Sequence, residues 1–508
     1  MLARILSATS FGIDARFVEV EVDVGAGLPS FHIVGLPDNA IQEARERVRS
    51  ALKNSGFAFP AQRITVNLAP AFLKKTGSDF DLPIALGILL ATKQLRSLPE
   101  GIVAIGELSL SGELRPVNGV FPVAHFLSLQ EKQYHVFLPL QNARESAVVE
   151  GIKVFGFRNL NEVCDFLEGK RAMQPLSRSW QECFFLSQHE EDLAEVKGQR
   201  HGKRALEIAA AGGHHLLFMG PPGSGKTMLA RKLPSILPPL TVEQAIEVTK
   251  IHSVAGILSE DKPLVTVPPF RAPHHTISDV ALIGGGQWPK PGEISLAHHG
   301  VLFLDEVLEF RRNVLEALRE PLETGKITVS RVNATITYPA RFTLVLACNP
   351  CPCGYFGDPK RPCTCSPQQI LRYRSKLSGP LLDRIDLQVE IPRLEVQEIL
   401  SERPEESSAD VRKRVEEARK IQEERFRKEG ILTNGEMKTR HIKKFCLLSR
   451  DTKHFLEETL HRLSLSARAY HRVLKVARTI ADLEGKEHIE VRHLAEAIQY
   501  RFLDRQRL

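Results

Sequence analysis

Gly220-Pro221-Pro222-Gly223-Ser224-Gly225-Lys226-Thr227 is the stretch that decides the fold. It fits G-x-x-x-x-G-K-[ST], and each fixed position has a physical reason. Gly223 and Gly225 let backbone N–H groups turn inward around phosphate oxygens, where a Cβ would obstruct. Lys226 supplies a point charge for the β/γ-phosphates, and the Thr227 hydroxyl is a ligand for Mg²⁺. Upstream, His215-Leu216-Leu217-Phe218-Met219 reads as a short buried strand. Downstream, Met228 to Leu233 reads as a helix whose N-terminus favours an anion. A strand before and a helix after distinguish this loop from a chance glycine-rich turn.

A phosphate cradle needs a metal anchor and a water-positioning group before it can hydrolyse anything. Val301-Leu302-Phe303-Leu304-Asp305-Glu306 supplies both. Four apolar residues indicate a strand buried inside a parallel sheet, with the two acids at its C-terminal end, where open α/β sheets bind ligands. Asp305 is the candidate Mg²⁺ anchor, together with Thr227, and Glu306 the candidate base. A strand ending in two acids is common by itself; the phosphate loop gives the pair its meaning.

With 508 residues, 43% hydrophobic and 25% charged, the chain has room for about three globular domains. A formal net charge of +7 permits nucleic-acid binding without demanding it. The most apolar stretch, Leu82 to Ala91, is too short to span a membrane and contains Pro83. The N-terminus lacks a secretory signal pattern, so a cytoplasmic location is expected.

Residues 1–170 read as a separate α/β unit. Val18, Val20, Val22 and Val24 alternate with acids. Asp38 caps a helix with Ile41, Ala44, Val48, Ala51 and Leu52 on one face. Ile64, Val66 and Leu68 alternate again, and Asp81 to Leu95 reads as a buried helix. Ile102 to Val117 reads as strand, turn and strand around Ser111-Gly112. Residues 171–191 read as a linker, 192–392 as the nucleotide-binding core with a cysteine-rich insert over 348–366, and 393–508 as a helical lid. Within the lid, Val411, Val415, Ala418 and Ile421 form an apolar stripe.

With these motifs, the chain resembles the AAA+ ATPases, and among them the magnesium-chelatase-like ComM/YifB family. The likeness covers essentially the whole chain. It is most specific at Arg271-Ala272-Pro273-His274-His275-Thr276, at Pro291 to His298, and at Gly379-Pro380-Leu381-Leu382-Asp383-Arg384-Ile385-Asp386. The resemblance implies an AAA+ P-loop core with a helical lid, ATP and Mg²⁺ as ligands, and a homo-oligomeric ring, usually a hexamer. It also implies DNA remodelling by helicase and branch-migration activity in homologous recombination and natural transformation.

The same resemblance assigns roles. Asn349 looks like the sensor residue beside the γ-phosphate; a turn-forming Asn before Pro350 is the alternative. Arg384 resembles the arginine finger that reaches a neighbour's ATP; an ion pair with Asp383 or Asp386 is its alternative. Arg468 looks like the lid's sensor arginine; a surface arginine is the alternative there. The segment from Val196 to Gln199 resembles the adenine-side entrance. Phe270 to Pro291 and the hairpin Thr324 to Tyr338 look like pore elements. Lys326, Arg331, His274 and Lys290 are then candidate phosphate contacts, and ordinary solvated side chains otherwise.

The first 170 residues resemble a Lon-protease-like domain. Asp79 aligns near the nucleophile position, with Ser78 beside it, and Phe121 stands where the lysine should be. An aromatic ring cannot activate a hydroxyl, so binding or oligomerisation is expected instead of proteolysis.

Five of the 8 cysteines fall between Cys348 and Cys365. Cys351, Cys353, Cys363 and Cys365 form two Cys-x-Cys pairs that can converge on Zn²⁺; a chance cluster is the alternative. Lys360 and Arg361 on that loop are further candidate DNA contacts. The rival function is a metal-insertion motor like the ATPase subunit of magnesium chelatase. The Lon-like unit and the cysteines speak against it, since chelatase subunits are expected to resemble only the core.

Overall fold

The computed structural model describes the chain except residues 76, 186–190, 260, 332–333, 401–403, 463–465 and 506–508. Thr76, close to Ser78 and Asp79, residues 186–190 of the expected linker and the tip of the 324–338 hairpin therefore lie outside the described residues. The chain forms two compact units. One holds residues 1–187 with Thr241–Thr266 and Pro289–Pro291; the other holds 188–240, Val267–Trp288 and Gly292–Leu508.

The first unit is built on a seven-stranded mixed sheet. Its strands run in the order Ser30–Val34, Arg63–Ala69, Asp14–Gly25, Leu2–Phe11, Ile102–Ala104, His135–Pro139, Lys153–Phe157. Alternation sets the register: Val18, Val20, Val22 and Val24 are buried while Asp23 faces water. The helix Asn39–Asn54 begins where the sequence places it, with Asp38 Oδ1 accepting from the Ile41 N–H at 2.9 Å. All five of its expected apolar residues are buried.

The helix Asp81–Ala91 is buried nearly all round. It ends before Leu95 because Lys93 takes a left-handed φ of 57°. Its first residue is held by Arg47, whose Nε donates to Asp81 Oδ2 at 2.6 Å. The Asp81 carboxylate is 1% exposed. Arg47→Met leaves that charge buried and unpaired. A loss of roughly 3–5 kcal/mol is expected, read as a lower melting temperature of the full chain.

Thr241–Thr266 belongs to this unit although the sequence reading kept 192–392 together as one core. The helix Val242–Ala255 is sealed by Ser253, whose Oγ donates to Glu145 Oε1 at 3.1 Å and whose carbonyl accepts from the Gly119 N–H at 3.0 Å. Gly119 and Phe121 come from the helix opening that the sequence reading matched to the Lon lysine position. Burial pushes the Glu145 carboxyl up to about 7. Asp79 is also raised to about 7, by burial and then by Asp81, Asp38 and Glu107. A carboxyl raised on folding binds its proton more tightly when folded. These two carboxyls therefore contribute stability that falls as pH rises from about 4.5 to about 7, against the opposite contribution of His125 and His215, which burial holds at about 4. Glu145→Gln should reduce that slope in urea titrations at several pH values.

The second unit holds a five-stranded parallel sheet in the order Phe270–Arg271, Val301–Leu304, Thr343–Cys348, Leu216–Met219, Leu387–Glu390. Its three central strands are buried at every residue, which explains their unbroken apolar runs. The edge strand Leu387–Glu390 escaped the sequence reading because it is short and contains buried Gln388. The C-terminal part is helical: Ser408–Phe426, Thr439–Phe445, Arg450–Arg462, Ala467–Leu483 and Val491–Gln499. On the first of these helices the stripe differs from the expected one. Val411, Val415 and Ala418 are buried, but Gln422 and Phe426 complete the face and Ile421 is exposed. Gln422 is the better-placed residue because its Nε2 donates to Ala211 O at 3.0 Å. A short helix, Trp180–Phe185, also stands where the sequence shows only an aperiodic linker; six residues are too few to reveal a period.

Candidate nucleotide site

The phosphate loop joins the strand Leu216–Met219 to the helix Lys226–Ile236. Gly223 and Gly225 have φ of 75° and 91°, which only glycine adopts without strain. Gly220 is required for a different reason: a Cβ there would stand 2.1 Å from the carbonyl of Ile391. Ser224 is buried, with its backbone carbonyl accepting from Gln199 Nε2 at 3.0 Å. Pro222 and Gly223 are exposed at the rim, whereas Pro221 is buried.

Lys226 Nζ donates to the carbonyls of Gly220 at 2.8 Å and Pro221 at 2.9 Å, and to Asn349 Oδ1 at 3.3 Å. Burial lowers its pKa, with Cys348, Asp305 and Glu306 opposing that shift. Thr227 Oγ1 donates to Asp305 Oδ2 at 2.6 Å. The hydroxyl and carboxylate expected to share a cation thus already meet. Both are hard oxygen donors, the kind Mg²⁺ takes from protein. Asp305 Oδ1 accepts from the Glu306 N–H at 2.9 Å, and Glu306 sits at φ 49° with its carboxylate exposed. His275 Nδ1 lies 3.9 Å from its Oε2. His275 lies in the Arg271–Thr276 motif, where its pairing with His274 is the signal that sequence offers for it.

The same motif meets the Pro291–His298 stretch. Arg271 makes a forked pair with Glu293, Nε to Oε2 at 2.6 Å and the terminal nitrogen to Oε1 at 2.7 Å. Val196 is fully buried, packed among Leu193, Leu206 and Leu229.

Arg384 is not paired with Asp383 or Asp386. Its guanidinium meets Glu323 and the Pro380 carbonyl at 2.5 Å. Burial, and then Arg319, Arg472 and Arg468, lower its pKa. Asp383 is taken by Arg468 at 2.7 Å, with the Arg468 side chain 74% exposed. Asp386 is taken by Arg472 and by His214 Nδ1 at 2.9 Å. Burial pushes the Asp386 carboxyl up, but Arg472 and His214 override it and hold it well below the usual carboxylate range. The structure therefore gathers Arg384 and Arg468 around one turn and gathers Lys226, Thr227, Asp305, Glu306 and Asn349 at the sheet's end.

The four cysteines converge. Cys351 Sγ lies 3.3 Å from Cys353 Sγ and 3.7 Å from Cys363 Sγ, and all four sulfurs lie within 4.8 Å of one another. These separations are too long for a disulfide and close to the roughly 3.8 Å edge of a tetrahedron with 2.3 Å metal–sulfur bonds. Backbone N–H groups of Phe356 and Cys365 point at the sulfurs of Cys351 and Cys363 at 3.3 and 3.4 Å. Of the basic residues on this loop, Lys360 Nζ pairs with Glu395 at 2.8 Å and Arg361 covers the Tyr355 ring at 4.2 Å.

In the first unit Lys75 is buried and gives its three protons to the carbonyls of Leu68 at 2.7 Å, Gly35 at 3.1 Å and Pro70. Ser78 Oγ donates to Glu107, and Phe121 is a core ring, 1% exposed. Ser78 is thus paired with a carboxylate and Lys75 with backbone carbonyls, so no lysine stands beside the Ser78 hydroxyl in these contacts.

Three family models cover most of the chain. "Magnesium chelatase, subunit ChlI" matches residues 192–399, "Subunit ChlI of Mg-chelatase" matches 20–142, and "Magnesium chelatase, subunit ChlI C-terminal" matches 405–501. Fold and site thus define a magnesium-chelatase-like AAA+ P-loop core with a helical C-terminal region, a class that implies ATP and Mg²⁺. Competence protein ComM of Haemophilus influenzae is 47% identical over 511 residues, covering 99% of this chain and 98% of that protein. YifB of Salmonella typhimurium is 47% identical over 509 residues, with the same coverage. The chain belongs to the ComM/YifB family. A magnesium-chelatase subunit ChlI from Euglena gracilis is 26% identical over only 27% of this chain. The match over 20–142 carries the chelatase name too, so the first unit does not by itself separate the two functions. Among the described residues no helix is long and apolar enough to cross a membrane.

Proposed function

We propose that this AAA+ ATPase is a cytoplasmic, ring-forming motor, a hexamer by the family resemblance, that moves on DNA and drives branch migration. The carrying observation is the end-to-end likeness to a competence protein, 47% identical across 99% of the chain. Exposed Lys326, Arg331, His274 and Lys290 are consistent with phosphate contacts.

At the nucleotide site, Lys226 exchanges the Gly220 and Pro221 carbonyls for phosphate oxygens. Thr227 and Asp305 would hold Mg²⁺, which when bound offsets the charge of the phosphates. Glu306 takes the proton of the attacking water and Asn349 orients that water. Asn349, Arg468 and the neighbouring subunit's Arg384 sense and stabilise the reacting γ-phosphate. Val196 lies on the adenine side. Cys351, Cys353, Cys363 and Cys365 would hold Zn²⁺ as a structural ion. The first unit, without a dyad, serves binding or assembly.

A four-way junction built from oligonucleotides tests this reading. ATP-dependent resolution into duplex products, weakening steeply with added salt, is expected. Turnover that ignores DNA, with the junction intact, would favour the alternative of a chelatase-type metal-insertion motor.

A further inference from the structure

The cysteine loop begins two residues after Asn349 and turns back onto the phosphate loop. Cys351 is fully buried, and its carbonyl accepts from the Gly354 N–H at 3.0 Å. Gly354 has φ 86°, and a Cβ built there would stand 2.8 and 2.9 Å from Cδ and Cγ of Pro222 and 4.0 Å from Cγ of Asn349. Its backbone thus lies directly on the phosphate loop.

Further ties fix the same corner. The Gly220 N–H donates to the Cys348 carbonyl at 3.3 Å. Arg374 Nε donates to the Pro350 carbonyl at 3.0 Å, and its guanidinium sits 5.2 Å from the centre of the Phe356 ring. Phe356 in turn gives its N–H to Cys351 Sγ. Asn349 reaches Lys226 from this corner. Four sulfurs this close, met by N–H donors, form a cage that a divalent cation would complete by taking the cysteines as thiolates.

We infer that a divalent metal in the Cys351–Cys353–Cys363–Cys365 cage braces the phosphate loop. It holds Gly354 against Pro222 and Asn349 beside Lys226, so metal occupancy sets the affinity for triphosphate. The cysteines are positioning residues: they act through Gly354 and Asn349 and touch no nucleotide. The inference rests on the nucleotide-site reading above. It differs from a merely structural zinc in coupling the metal to a specific ligand.

The test uses the untagged full chain. Metal is counted by mass spectrometry, then displaced by titrating the thiols with an organomercurial. Affinity for a fluorescent ATP analogue is measured before and after, with far-UV circular dichroism as the check on folding. About one zinc per chain is expected, and its loss should weaken nucleotide binding about tenfold or more, since loops displaced by an ångström lose binding geometry. Dithiothreitol with Zn²⁺ should restore it. Gly354→Ala supplies an independent arm because it leaves every sulfur in place. It should retain zinc yet bind the analogue several-fold more weakly. A metal-free purified chain with normal affinity overturns the brace, and so does zinc loss without a change in affinity or a Gly354→Ala protein that binds as tightly as the parent. Metal-loaded protein that binds no analogue at all instead overturns the nucleotide site itself.

Discussion

Glu306→Gln is expected to lower ATP turnover by about 10²–10⁴-fold, the contribution of a positioned general base, while ATP binding stays intact. Glu306 touches neither Lys226 nor Thr227 in this structure; its backbone N–H serves Asp305, and its carboxylate projects outward toward His275. Replacing one carboxylate oxygen by an amide leaves the Asp305 contact untouched because that contact uses the main chain. Steady-state phosphate release and equilibrium binding of a fluorescent ATP analogue separate the two effects. Equal loss of binding and turnover would remove Glu306 from the role of base. Unchanged turnover would do so more directly.

Arg384→Ala is expected to cost about 10³–10⁵-fold in turnover, the range for an arginine finger, without changing the protein's own phosphate loop. Mixing provides the decisive measurement. Arg384→Ala and Lys226→Ala chains should each be inactive alone, since each lacks one half of every seam. Co-assembled in equal amounts, about a quarter of seams join an intact Lys226 to an intact Arg384, as random heterologous packing in a closed ring requires. A recovery of that order shows that sites are shared. No recovery from chains shown to co-assemble places both residues in one subunit's site. Arg472→Met is informative beside these. Arg472 also accepts the task of holding the Arg384 main chain, donating to its carbonyl at 3.1 Å while pairing with buried Asp386.

The phosphate loop and its flanking strand and helix were legible in the sequence because geometry leaves few residues able to serve there. The buried strands were legible from unbroken apolar runs, and the Asp38 cap from its position before an amphipathic helix. What escaped was tertiary. Alternation and periodicity report which face of an element is buried, not which body buries it, so nothing in Val242–Ala255 announced its place in the first unit. Ile421 looked like a core residue by spacing, and Gln422 displaced it because an amide can satisfy the Ala211 carbonyl. Arg384 kept a role from resemblance, but its local partners, Glu323 and Pro380, lie at a sequence distance or in a backbone contact that no spacing rule encodes. The convergence of the four cysteines followed from two short Cys-x-Cys turns, whereas the seat of Gly354 on Pro222 could only be seen in three dimensions.

The excursion of Val242–Ala255 has a practical consequence for dissecting this protein. The polypeptide leaves the segment that carries the phosphate loop, lends a helix to the first unit, and then returns to Phe270. Scissors placed between residues 171 and 191 would strip Glu145 of its Ser253 partner and leave the Gly119 amide bare. The trailing fragment would carry a helix with no home. The chain is stitched, not strung, and complementing fragments would have to be permuted to restore both halves.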